Sequence, residues 1–95
     1  MLTGKQRAAL RSMANTLPAI FQIGKGGVTP ELVATLDEAI EARELIKLSV
    51  LETAGISAKE AIDQLAKALR AEPVQAIGRK VVLYRKNREN PVIEL

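Results

Sequence analysis

Apolar positions follow two periods along the chain, and the switches between them mark the elements. Leu10, Met13, Ala14 and Leu17 recur at i, i+3, i+4 and i+7, one stripe of an amphipathic helix. Thr3-Gly4-Lys5-Gln6 ahead of it forms a capping box: the Thr hydroxyl takes an orphan amide and Gln6 reaches back. Pro18 ends the helix. Ala19–Ile23 is a short apolar run between breakers and predicts a buried strand. After Gly24-Lys25-Gly26-Gly27, Thr29 reads as a helix cap and Pro30 as the first helical residue. Leu32, Val33, Leu36, Ala39 and Ile40 form the apolar face of this second helix, with Asp37, Glu38 and Glu41 on the polar side.

The period then returns to two. In Leu45–Leu51, Ile46, Leu48 and Val50 alternate with Lys47 and Ser49, so one face of this strand is buried more fully. Gly55 marks a loop, and Ser57-Ala58-Lys59-Glu60 is a second capping box. The third helix buries Ile62, Leu65, Ala66 and Leu69. Pro73–Ile77 and Lys80–Arg85 are strands joined by a tight turn at Gly78-Arg79. The order is α-β-α-β-α-β-β. Helical crossovers bring parallel strands and the tight turn an antiparallel pair. The expected fold class is α/β, a two-layer sandwich with a mixed four-stranded sheet. Residues 1–86 form one domain. Residues 87–95 are a tail that either adds an edge strand through Val92–Leu95 or stays loose.

Composition narrows the chemistry. The chain has 95 residues, 47% of them hydrophobic, enough for one small core. Phe21 sits in an apolar strand and reads as core. Tyr84 reads as packing with a wet hydroxyl, or as a platform for a base. There is no cysteine and no histidine. Disulfides, thiolate metal sites and the commonest general base are therefore excluded. The acids lie mostly on helix faces, and none forms an isolated pair among apolar residues. The expectation is a protein that is not an enzyme and holds no metal or cofactor. No apolar run approaches the roughly 18 residues of a membrane span, and the N-terminus lacks a signal-like apolar region. A cytoplasmic monomer without membrane association follows as the expectation.

Charge is unevenly placed. Residues 1–30 carry Lys5, Arg7, Arg11 and Lys25 and no acid, whereas residues 31–72 hold nine acids against five bases. Residues 73–95 are basic again through Arg79, Lys80, Arg85, Lys86 and Arg88 against Glu89 and Glu94. If the two basic ends meet, the fold has a positive face suited to an anionic polymer. The bland reading is that terminal charge aids solubility.

Gly24–Gly27 is the candidate site. A strand, a glycine-rich loop and a helix N-terminus offer unpaired amides, a favourable dipole and close backbone approach to phosphate. Lys25 adds a full charge. G-x-x-G loops clamp nucleic-acid backbones in KH-type RNA binders, although alone such a loop is equally a tight turn. The nucleotide-binding patterns G-x-x-x-x-G-K-[ST] and G-x-G-x-x-G are absent. Lys5, Arg7 and Arg11 flank the first helix. Arg79 and Lys80 lie at the hairpin. Arg85 and Lys86, adjacent on a strand, point to opposite faces.

Several segments together resemble the CRM domain, named for chloroplast RNA splicing and ribosome maturation, in its stand-alone bacterial YhbY-like form. They are Thr3-Gly4-Lys5-Gln6-Arg7, Gln22-Ile23-Gly24-Lys25-Gly26-Gly27, Glu44-Leu45-Ile46-Lys47, Val74-Gln75-Ala76-Ile77-Gly78-Arg79 and Val82-Leu83-Tyr84-Arg85. The resemblance runs from Leu2 to about Arg85. It implies a fold like the C-terminal domain of translation initiation factor three, with Gly24–Gly27 as the family's G-x-x-G loop. It also implies RNA binding without catalysis. Bacterial members are associated with precursors of the large ribosomal subunit, and plant relatives with group II intron splicing. Arg43 stands where many relatives have His, and keeps a positive charge there. The tail after Lys86 is outside the resemblance.

Two function classes compete. In the first, ribosomal RNA is held by Gly24, Lys25, Gly26 and Gly27, with Lys5, Arg7, Arg11, Arg79, Lys80 and Arg85 extending the surface. In the second, the acidic face of the second and third helices, with Asp37, Glu38 and Glu41, docks a basic ribosomal protein. A small enzyme acting on phosphorylated substrates is a third reading, and it lacks a general base.

Overall fold

A computed structural model describes residues 2–95. The elements are α1 (Gly4–Ala14), β1 (Phe21–Ile23), α2 (Pro30–Arg43), β2 (Leu45–Val50), a 3-10 turn (Glu52–Ala54), α3 (Ala58–Leu69), β3 (Glu72–Ile77) and β4 (Lys80–Tyr84). Both capping boxes form, with Gln6 N donating to Thr3 Oγ1 and Glu60 N to Ser57 Oγ, each at 3.1 Å. Thr29 caps α2 by accepting from Leu32 N. At the β3–β4 turn Gly78 has φ 58°, a conformation that side chains resist.

The sheet order is β1-β2-β4-β3. β1 and β2 are parallel, joined over α2. β4 is antiparallel to both β2 and β3. β2 and β3 thus run the same way with β4 between them. This is the mixed four-stranded sheet expected from the alternation of elements.

Strand alternation divides the apolar residues between two faces. Ile46, Leu48, Val50, Val81 and Leu83 pack under α2 and α3, with Leu36, Ile40, Ile62, Leu65 and Leu69. The opposite face has its own smaller cluster. There Leu45, Val74, Val82 and Tyr84 are covered by Leu10 and Ala14 of α1. The two-layer body is therefore the sheet with α2 and α3, and α1 adds a partial third layer. Met13, read as part of the α1 stripe, is 40% exposed.

β1 differs from its expectation. It covers only Phe21–Ile23 and is an edge strand, with Ile20 and Gln22 exposed and Ile23 alone buried. It pairs only with β2 and packs one face on the main core, so an apolar run did not require burial on both sides. Residues 87–95 form no strand. Ile93 nevertheless packs on the α1 cluster, and the tail is tied down by Glu44.

Candidate nucleic-acid interface

The glycine loop leaves the sheet at the C-terminal end of β1. Gly27 N donates to Gly24 O at 3.0 Å and closes a turn. Gly26 sits at the third turn position with φ 99°, and Gly27 follows with φ 67°. A positive φ at the third position is the type II turn. A Cβ on Gly26 or Gly27 would meet nothing nearer than 3.6 Å, so backbone conformation, not space, selects glycine there. Gly24 needs neither. Its φ is ordinary and an added Cβ would lie 3.7 Å from Leu51 Cδ1, an everyday contact.

Three successive amides of this loop are unused. Among the described residues, no acceptor takes Gly24 N–H, Lys25 N–H or Gly26 N–H. Successive unpaired amides in a tight turn make a concave anion site. The helix behind contributes less than the sequence implies. Pro30 has no N–H, and Leu32 N and Val33 N are taken by Thr29 Oγ1 and Thr29 O, which leaves Glu31 N–H as the one first-turn amide without an acceptor among the described residues. Glu31 also places a carboxylate in the first turn. The candidate anion donors are therefore the loop amides and Lys25, with Glu31 N–H the one helix amide left over.

Arg79 holds the ground beneath the loop. Its Nε donates to Val50 O at 2.6 Å and its Nη2 to Leu51 O at 2.9 Å. Leu51 N in turn donates to Ile23 O, and the segment around Leu51 and Ala54 backs Gly24 and Gly27. The Arg79 guanidinium is thus engaged as a brace on backbone carbonyls, although the residue itself stays exposed. Lys80 stays exposed and donates to Ser49 Oγ at 2.6 Å.

Arg85 does not extend the basic surface. Its guanidinium donates to Asp37 Oδ1 and Leu69 O at 2.7 Å and to Glu41 Oε2 at 3.0 Å. It joins the end of β4 to α2 and α3, and its side chain is only 19% exposed. Arg85→Ala should lower stability by about 2 kcal/mol, mostly through the lost carbonyl bonds, because the two carboxylates are more than half exposed. Thermal melts would check this, and RNA affinity of the folded variant should be unchanged.

The remaining bases are free. No hydrogen bond or ion pair engages the side chains of Lys5, Arg7, Arg11 or Lys25 among the described residues. Arg7 and Arg11 lie one turn apart, half-buried, on α1. α1 carries three bases and no acid, while α2 across the sheet carries four acids and one base. The uneven charge of the sequence thus becomes two faces of one sheet.

Two residues with structural roles were not singled out in the sequence. Lys47 Nζ donates to Ala14 O and satisfies the C-terminal turn of α1. Glu44 is fully buried at the end of α2 with φ 64° and ψ −41°. Its Oε2 accepts from Asn87 N at 2.7 Å, and its Oε1 accepts from Val92 N and Ile93 N, each at 2.6 Å. Burial pushes this carboxyl up, but the three amides and the Lys86 charge outweigh it and hold the group below its ordinary value. Tyr84, 5% exposed, is raised by burial and then by the Glu44 charge. It is a packing residue, not an open base platform. The signal for Glu44 was an acid between a helix end and an apolar strand, which alone does not name its partners.

Comparison with known proteins settles the family. The profile of the CRS1 / YhbY (CRM) domain matches residues 2–85. The chain belongs to the CRM domain family. The CRM domain here is 48% identical over 95 residues to the Probable RNA-binding protein YqeI of Bacillus subtilis, covering 100% of this chain and 99% of that one. An RNA-binding protein of Haemophilus influenzae is 31% identical over 88 residues, covering 93% of this chain and 89% of its own. The solution structure of SAV1595 from Staphylococcus aureus, named as a candidate RNA-binding protein, superposes with a TM-score of 0.80. Its identity is 44%, over 100% of this chain and 99% of that one. These relatives of the CRM domain are described as RNA binders and none as an enzyme. No helix among the described residues is long and apolar enough to cross a membrane.

Proposed function

We propose that this CRM domain binds RNA as a cytoplasmic monomer, gripping the phosphate backbone at Gly24–Gly27, and that its target is ribosomal RNA in precursors of the large subunit. The observation that carries this reading is the run of unpaired amides at Gly24, Lys25 and Gly26, beside the Lys25 ammonium. Arg7, Arg11 and Lys80 supply further phosphate contacts from the α1 side of the sheet, and Lys5 adds to the field. Such contacts position RNA without reading its sequence. The docking of a basic ribosomal protein on α2 and α3 takes second place, because Arg85 already occupies Asp37 and Glu41.

The test is a titration into labelled large-subunit ribosomal RNA fragments at a series of salt concentrations. About four phosphate contacts give a slope of log K against log salt near −3, at roughly −0.7 each on single strands. Lys25→Ala should reduce that slope by about 0.7. Binding that does not change with salt would overturn the phosphate mechanism. Capture of a ribosomal protein that depends on Asp37 and Glu38, with no RNA binding, would favour the second reading.

A further inference from the structure

α1 covers only part of its side of the sheet. Leu45, Val74, Val82 and Tyr84 are buried beneath it, and the helix stops at Ala14, against Lys47. Beyond Lys47 one full row of side chains is left uncovered. The register aligns Gln22 with Ser49, Ser49 with Lys80, and Lys80 with Ile77. Alternation from Leu45 and Val82 places all four on the α1 side. They form one line across β1, β2, β4 and β3, roughly 14 Å long at the usual strand spacing. Gln22 and Lys80 are exposed, Ser49 is half-buried, and Ile77 is 64% exposed.

The chemistry of the row fits one occupant. Gln22 offers an amide to a base edge. Ser49 Oγ accepts from Lys80 Nζ, which leaves its own proton to donate. Lys80 carries charge for a phosphate, and Ile77 presents an apolar branch to a base face. Glu72 is the only acid on any strand, and it lies at the far end of this face opposite Tyr84. Gln22 is two residues from Gly24, so the row begins where the glycine loop would hold a phosphate.

We propose that the row of Gln22, Ser49, Lys80 and Ile77 is the floor for a single-stranded RNA segment whose backbone is held at Gly24–Gly27, with Gln22, Ser49 and Ile77 meeting bases and Lys80 a phosphate. The proposal rests on the phosphate-clamp reading and adds the class of RNA. A paired stem hides its base faces, whereas an unpaired loop can splay bases onto such a surface.

The test compares a short labelled uridine oligomer with an RNA duplex of equal length, binding to wild type, Lys25→Ala and a Gln22→Ala, Ile77→Ser double variant. Both row positions are exposed, and circular dichroism with a thermal melt would verify that the fold is kept. The row variant should bind the oligomer about tenfold more weakly, as loss of base contacts does. Its salt slope should match wild type, because no phosphate contact is removed. Lys25→Ala should instead lower the slope, and wild type should prefer the oligomer to the duplex. If the row variant binds the oligomer like wild type while Lys25→Ala is weakened, the floor is refuted and the clamp stands. If Lys25→Ala keeps the wild-type affinity and slope, the strand is held elsewhere and both readings fall. If the row variant keeps its RNA affinity but loses self-association in sedimentation, the row is a protein contact and the proposal is overturned.

Discussion

Glu44→Ala should destabilise the protein by about 3 kcal/mol, a loss on the scale of truncating a core leucine. The carboxylate is fully buried and accepts from three backbone amides of the tail. Hydrogen bonds to a charged group contribute roughly 1.5–3 kcal/mol each, but they are not additive, and the freed tail regains water and motion. For a domain of this size the melting temperature should drop by about 15 °C. The backbone adds a second handle. Glu44 has φ 64°, which strains any residue with a Cβ. Glu44→Gly should therefore be milder than Glu44→Ala by about 1 kcal/mol. A Gly variant as unstable as the Ala variant would show that the strain is negligible.

The same carboxylate sets an acid limit. Its value in the folded protein lies below the ordinary 4.5. Its contribution is then complete above that ordinary value and is lost as pH falls through the lower, folded one. Urea titrations across the acid range should show a steeper decline for wild type than for Glu44→Gln.

The second large effect belongs to the loop. A Lys25→Asp, Gly26→Asp double variant should bind ribosomal RNA fragments about 100-fold more weakly at moderate salt. Lys25→Asp replaces an attractive charge by a repulsive one beside the phosphate. Gly26→Asp adds a second negative charge and a Cβ at φ 99°, which shifts the free amides beside it. Strain at Gly26 should cost about 1–2 kcal/mol of stability, so circular dichroism must confirm folding. Gly24→Ala separates the two causes. It meets no strain and no clash, so stability should hold, and affinity falls only if RNA backbone approaches Gly24 closely. Unchanged binding by the folded double variant would place the RNA elsewhere.

How much was legible in the sequence depended on distance along the chain. Caps and helices were readable because Thr3, Thr29 and Ser57 act three residues away. The mixed sheet followed from alternation of the elements. The position of β1 at an edge did not, since an apolar run carries no record of how many neighbours it has. The side taken by α1 was equally hidden, because a helical stripe needs an apolar surface but does not name one. The site divided the same way. The glycines that make the turn at Gly24–Gly27 were visible locally. The acceptors that engage Arg79 and Arg85 were hidden because they lie 29 and 48 positions away. Glu44 was missed for the same reason.

The place of β4 has a consequence for how the chain comes to be folded during synthesis. It is the last in chain order of the four described strands and one of the two central strands of the sheet. Val81 and Leu83 complete one apolar cluster, and Val82 and Tyr84 the other. Until Lys80–Tyr84 has emerged, β2 and β3 stand apart by the width of a strand, and both clusters lack their middle. A nascent chain can form its helices and the β1–α2–β2 unit, but no partial product closes the sheet. The unpaired side of β2 is then an adhesive edge. Stalled or prematurely released chains of this protein should be targets for chaperones and proteases rather than reservoirs of partial activity.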